Sequence, residues 1–153
     1  MKFCINYTNV IEQKTLIYHI EECSFDTEPA VQEINFDIAL NKLNLTATDD
    51  DNKIAQVGGF CGYNEWIKSN YQVPERKSGV LKVLDDLVSG EGSYAISKED
   101  FPVYVNIQTG WVCIGNPEKG GDAVEFITNC VAVIDSNKNF VSLWLKPKKL
   151  PDI

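Results

Sequence analysis

The chain has 153 residues, 44% hydrophobic and 24% charged, with a net charge of −8. That is the size and composition of one ordinary domain spanning 1–153, long enough to bury a core without disulfides or a structural metal. The negative charge disfavours direct nucleic-acid binding, which needs Lys and Arg to displace counterions, and no run approaches the ~20 apolar residues of a membrane helix.

Residues 2–8 and 14–21 read as two strands joined by a turn near Asn9. In the second, Leu16, Tyr18 and Ile20 alternate with Ile17 and His19, the period of a strand with one face inward. Asn6 and Asn9 interrupt the first apolar run, so no signal-peptide core is expected and the location expected is cytoplasmic.

Residues 31–47 carry the clearest alternation. Ile34, Phe36, Ile38 and Leu40 point one way, and Leu43 and Leu45 resume the phase after a bulge at Asn41-Lys42. Thr48-Asp49-Asp50-Asp51-Asn52 is a polar turn, and residues 53–61 return through Ile54, Val57 and Phe60 as an antiparallel meander. A short helical turn is predicted over 64–71, capped by Asn64 and ended by Pro74. The main helix is predicted over 78–89. There Val80, Val83, Leu84, Leu87 and Val88 form one apolar stripe, with Ser78 and Gly90 as caps.

Beyond Tyr94 the pattern returns to strands: Val103–Gln108 and Trp111–Ile114 flank a Thr109-Gly110 turn. Asp122-x-x-Glu125 resembles a helix capping box, but the aromatic and β-branched content of 123–134 favours a strand. Asp135–Asn139 turns into a last strand, Phe140–Leu145, stopped by Pro147. These elements predict an α+β fold dominated by antiparallel hairpins, with one main helix.

Charge is unevenly placed. Residues 1–100 hold 17 Asp/Glu against 9 Lys/Arg, whereas residues 101–153 hold 5 of each. Such a field repels phosphate backbones and speeds encounter with a basic partner. Five cysteines, none in a Cys-x-x-Cys pair, point to free thiols rather than a disulfide framework or a zinc site. Asp49-x-Asp51 and Asp135-x-Asn137-x-Asn139 depart from a calcium loop at essential positions: Lys53, Phe140 and Lys146 stand where ligands or glycine belong. Neither a metal nor a cofactor is expected.

Gly58-Gly59-Phe60-Cys61-Gly62 is the sharpest enzyme candidate. A nucleophilic thiol there needs a base, and His19 is the single histidine, with Asp37 or Glu21 available to orient it. The plainer alternative is a strand end with a packed cysteine. Phe36, Phe60, Phe126 and Trp144 are assigned to the core, and the Lys146, Lys148 and Lys149 tail to solvent. Tyr63 and Trp66, in a polar loop beside Glu65, have the character of interface anchors.

Three segments together resemble small bacterial immunity proteins of contact-dependent growth inhibition and related polymorphic toxin systems. They are Trp111-Val112-Cys113-Ile114-Gly115-Asn116-Pro117, Asp122-Ala123-Val124-Glu125-Phe126 and Leu143-Trp144-Leu145-Lys146-Pro147. The resemblance implies a non-enzymatic cytoplasmic protein that binds one cognate toxin. A basic nuclease would suit the charge. On that expectation the binding residues are Asp49, Asp50 and Asp51, then Tyr63, Glu65 and Trp66, then Asp85 and Asp86. The alternatives are a DNA-mimic inhibitor of a nucleic-acid enzyme, a thiol hydrolase using Cys61 and His19, and a ligand-binding β-protein.

Overall fold

Period-two alternation, rather than helical periodicity, governs nearly the whole chain. The computed structural model describes residues 1–87 and 93–153 and contains fourteen strands and one 3₁₀ turn. The strands are β1 (Phe3–Tyr7), β2 (Thr15–His19), β3 (Ser24–Glu28), β4 (Ile34–Leu40), β5 (Leu43–Thr48), β6 (Ile54–Phe60) and β7 (Ile67–Lys68). They continue with β8 (Lys77–Val83), β9 (Ser93–Ala95), β10 (Val103–Asn106), β11 (Trp111–Gly115), β12 (Asp122–Ile127), β13 (Cys130–Ile134) and β14 (Phe140–Leu145). They form an eight-stranded sheet, β1-β8-β12-β13-β14-β11-β10-β7, and a six-stranded sheet, β2-β3-β6-β5-β4-β9. No described helix is long and apolar enough to cross a membrane.

The fold is therefore all-β, not α+β. The main helix predicted over 78–89 is instead β8, whose buried residues are Gly79, Leu81 and Val83. Val88, Ser89 and the Gly90 cap lie outside the described residues. The stripe at 80, 83, 84 and 87 is real as a pattern, but β8 sits between β1 and β12 and its backbone bonds go to both. Gly79 is fitted to that place: a Cβ there would lie 2.6 Å from Asn6 O of the β1 backbone and 2.9 Å from the Val124 side chain of β12, so only glycine fits between these neighbours. The predicted helix over 64–71 reduces to a 3₁₀ turn, Tyr63–Glu65, followed by β7, which pairs with β10.

The other corrections concern connectivity. β1 and β2 are not a hairpin, because β1 pairs with β8 and β2 with β3, in different sheets. Asn41 is not part of a bulge. It takes φ +55° and turns the chain between β4 and β5, since asparagine tolerates the left-handed region. Residues 123–134 are extended, as their composition favours, but split into β12 and β13 by a turn at Asn129, φ +65°. Glu125 caps this turn: its carboxylate accepts the Asn129 backbone N–H at 2.8 Å.

The inner faces of the two sheets share one core. Phe25, Ile38, Leu43 and Leu45 from the smaller sheet pack in the same cluster as Leu81, Ile114, Val124, Phe126 and Leu143 from the larger. The outer faces differ. On the larger sheet Trp111, Cys113, Val131, Val133 and Trp144 form a second apolar cluster, with Tyr71 and Val73 packed on it. The segment 69–76 is tied down there. Ser69 N–H donates to Val105 O, Asn106 Nδ2 donates to Tyr71 O, and the Arg76 guanidinium lies 5.2 Å from the Trp111 ring centre. On the smaller sheet the outer face is polar, and strand alternation alone leaves it toward solvent.

Candidate functional site on the open face

Residues 12–60 contain most of the smaller sheet and carry 10 Asp/Glu against 3 Lys. Alternation sends Leu16, Tyr18, Phe25, Thr27, Phe36 and Ile38 inward. It therefore sends His19, Asp26, Glu28, Asp37, Asn44 and Gln56 outward.

Register builds the centre of this face. One row across the strands runs Ile17, Asp26, Gly58, Asn44, Ala39. The next contains Gln56, Thr46 and Asp37. Gly58 has no side chain and Asn44 and Ala39 are short, so the middle of the sheet is a depression. It forms a cleft of about 630 Å³ whose walls include His19, Glu22, Asp26, Asp37 and Gln56. Gly59 continues the floor at φ +114°, with β5 backbone against it. Thr46 Oγ1–H donates to Asp37 Oδ1 at 2.6 Å, which fixes that carboxylate. His19 stands at the rim, Nδ1 3.9 Å from Glu22 Oε2 and Nε2 4.0 Å from Asp26 Oδ2. Both separations are too long for direct hydrogen bonds.

A second hollow, about 310 Å³, continues the acidic surface to the end of the sheet and is lined by Glu33, Asp49 and Asp50 among others. The β5–β6 turn that carries Asp49, Asp50 and Asp51 touches the end of β8: Val83 N–H donates to Asn52 O, and Lys82 Nζ pairs with Asp51. Asp85 accepts the Lys2 backbone N–H at 2.6 Å. The structure thus gathers Asp49, Asp50, Asp51, Asp85 and Asp86 at one end, although Asp85 and Asp86 follow a strand rather than sit on a helix. Asp51 is already compensated by Lys82.

Tyr63, Glu65 and Trp66 lie beyond the opposite end of β6 and are not part of that group. Trp66 is 8% exposed. It stacks on Phe25 at 6.0 Å and lies 5.1 Å from the Tyr18 ring, which makes it core rather than an anchor at the surface. Tyr63 is half-buried against the same cluster and Glu65 is exposed. Phe60, assigned to the core by sequence, is 47% exposed with the Lys42 ammonium 5.4 Å from its ring centre.

Cys61 and His19 are not brought together as a catalytic pair. Cys61 points into the core, where Trp66 Nε1–H donates to its Sγ at 3.3 Å, while His19 faces outward. Burial pushes the Cys61 thiol up to about 11, so it is protonated at neutral pH. Asp37 and Glu21 do not orient an imidazole toward this thiol; the carboxylates beside His19 are Glu22 and Asp26. The five cysteines are unpaired, with Cys61, Cys113 and Cys130 buried. Nor do Asp26 and Asp37 form the paired rows of a phosphate mimic: β6 and β5 stand between their strands, about 14 Å in all at the usual strand spacing.

The sequence signal for this face was present in Ser24-Phe25-Asp26-Thr27-Glu28, whose alternation marks a strand with both acids on one side. What sequence cannot supply is the pairing that sets it beside Gly58. Comparison with known proteins yields no family model that matches the chain and no curated protein that matches it.

Proposed function

We propose that this chain is a bacterial immunity protein that acts in the cytoplasm by binding a cognate toxin with a basic surface, and catalyses nothing itself. The observation that carries the proposal is the contrast between the two outer faces. One is apolar and covered by the chain's own 69–76 segment. The other is left uncovered by the described residues and holds Asp26, Glu28 and Asp37, with Glu33, Asp49 and Asp50 at its end.

A rigid sheet with fixed carboxylates suits rapid capture of a positively charged domain, because complementary fields raise association rates and suppress wrong partners. Pre-ordered groups such as the Thr46–Asp37 pair lose little freedom on binding. Asp49 and Asp50 keep the role expected from sequence, and the sheet face adjoins them. The docking surface omits Trp66.

The test is co-expression with the product of the neighbouring upstream gene, expected to be a secreted protein with a C-terminal toxin domain. Protection of the cells and a one-to-one complex are expected. The triple variant Glu33→Lys, Asp49→Lys, Asp50→Lys should associate more slowly and with a flatter salt dependence, because all three side chains are exposed and screened by salt. Unchanged association in that variant would remove the acidic surface from the mechanism. Absence of both complex and protection would reject the immunity function.

A further inference from the structure

We infer that the β2–β3 hairpin holds a divalent transition-metal site made by His19, Asp26 and Glu28. The ligating atoms of the three residues lie within 4.8 Å of one another. The register puts all three on one outer face: Ile17 pairs with Asp26, while His19, opposite Ser24, and Glu28, opposite Thr15, lie on either side of it and reach toward it with their side chains. The three residues are at positions 19, 26 and 28, a spacing that matches no helical or loop metal motif.

Two further features point to a ligand. First, the three groups converge without satisfying one another. His19 Nε2 stays 4.0 Å from Asp26 Oδ2, a few tenths of an ångström wider than two tetrahedral ligands at about 2.0–2.2 Å from one ion, so a small movement of the half-exposed side chains would seat both. Second, the other ring nitrogen, Nδ1, faces the Glu22 carboxylate at 3.9 Å. A small rotation of either exposed side chain would close the carboxylate–imidazole hydrogen bond that orients a metal-bound histidine and raises its basicity.

The ligand set defines the ion. One imidazole nitrogen and two carboxylates balance a 2+ charge, and nitrogen with oxygen suits zinc, manganese, cobalt or nickel. Calcium is disfavoured, since it takes six to eight oxygens. Three protein ligands leave coordination positions open, and two of the three, His19 and Asp26, line the cleft floored by Gly58. An exogenous oxygen or nitrogen donor is what such positions accept. The site needs only the hairpin and is testable without a partner, but it shares Asp26 and Glu28 with the proposed toxin-binding face, whose negative charge a bound ion would lower.

Cobalt(II) added to the full-length protein tests this directly, because its visible bands report geometry and its near-ultraviolet charge-transfer band reports thiolate. We expect one equivalent to bind saturably, with visible bands and no thiolate band, and zinc to displace it. His19→Ala and Asp26→Asn, both at half-exposed positions, should each weaken binding more than 100-fold while the far-ultraviolet circular dichroism stays unchanged. Glu22→Gln, acting through the imidazole, should weaken it about 10-fold. Asp49→Asn with Asp50→Asn should change nothing. No saturable binding, bands indifferent to His19→Ala and Asp26→Asn, a thiolate band, or calcium binding as tight as cobalt would each overturn the assignment.

Discussion

Adjacent glycines on β6 should respond in opposite directions to the same substitution. Gly58 lies outside the left-handed region, and a Cβ there would meet Phe25 O at 3.5 Å and Asp26 Oδ1 at 3.9 Å, ordinary contacts. Glycine within a strand costs roughly 0.5–1 kcal/mol relative to alanine. Gly58→Ala is therefore expected to stabilise by about that amount, or roughly 1–4 °C in melting temperature for a chain of this size. Gly59 sits at φ +114°, and a Cβ there would lie 2.8 Å from Lys42 O and 3.2 Å from Leu43 Cα, both backbone atoms. Gly59→Ala must strain its own backbone, at about 1–3 kcal/mol, or displace β5, so melting should fall by roughly 2–12 °C. Calorimetry on the two variants beside the parent reads the difference. Equal effects, or destabilisation by Gly58→Ala alone, would refute the geometry of the cleft floor. The functional corollary uses Gly58→Leu, which keeps the fold but fills the depression. It should abolish partner binding while melting close to Gly58→Ala.

Three other outcomes follow from the packing and charge. Trp66→Ala should cost about 3–5 kcal/mol, or roughly 6–20 °C, in a urea or thermal melt, because it empties the space between Tyr18 and Phe25. A surface anchor would lose less than 1 kcal/mol. Native protein treated with iodoacetamide at pH 8 should be modified at the half-buried Cys4 and Cys23 long before Cys61, whose thiol is pushed up to about 11 by burial; mass spectrometry that finds Cys61 labelled first would contradict the buried assignment. Asp135 is held below its ordinary value of 3.8 by the backbone N–H of Asn139, then by Lys119 and the N–H of Asn137. Its folded-state value is depressed, so its stabilisation is present above that ordinary value and lost as the pH falls below it. Asp135→Asn should therefore flatten the acid limb of the stability–pH curve and leave its shape at neutral pH unchanged.

Strand alternation was legible wherever one side of a strand faces water. Ile34, Phe36, Ile38 and Leu40, for example, show β4 directly, although its outermost member, Ile34, is exposed. The failures have physical causes. Around β8, Val80, Val83, Leu84 and Leu87 fit a helical stripe, whereas the strand buries Gly79, Leu81 and Val83, an alternation that hydropathy misses because Gly79 has no side chain; pairing with β1 and β12 decides between the two. Asn41 read as an interruption because its left-handed turn is invisible to hydropathy. The acidic loop at 49–51 was found from sequence, since charge density needs no tertiary information. The open face was not, because Asp26 and Gly58 are 32 positions apart and meet only through the β3–β6 register. Trp66 looked like a loop anchor because its neighbours Asn64 and Glu65 are polar; its ring turns back under them to stack on Phe25.

Hydrogen–deuterium exchange on the complex with the upstream toxin domain tests the central claim most directly. The binding account predicts slowed exchange in β3, β5 and β6 and in the 49–52 turn, with 69–76 and β11 unaffected. Protection confined to 69–76 and the tryptophan face, with β3 and β6 exchanging as in the free protein, would contradict it.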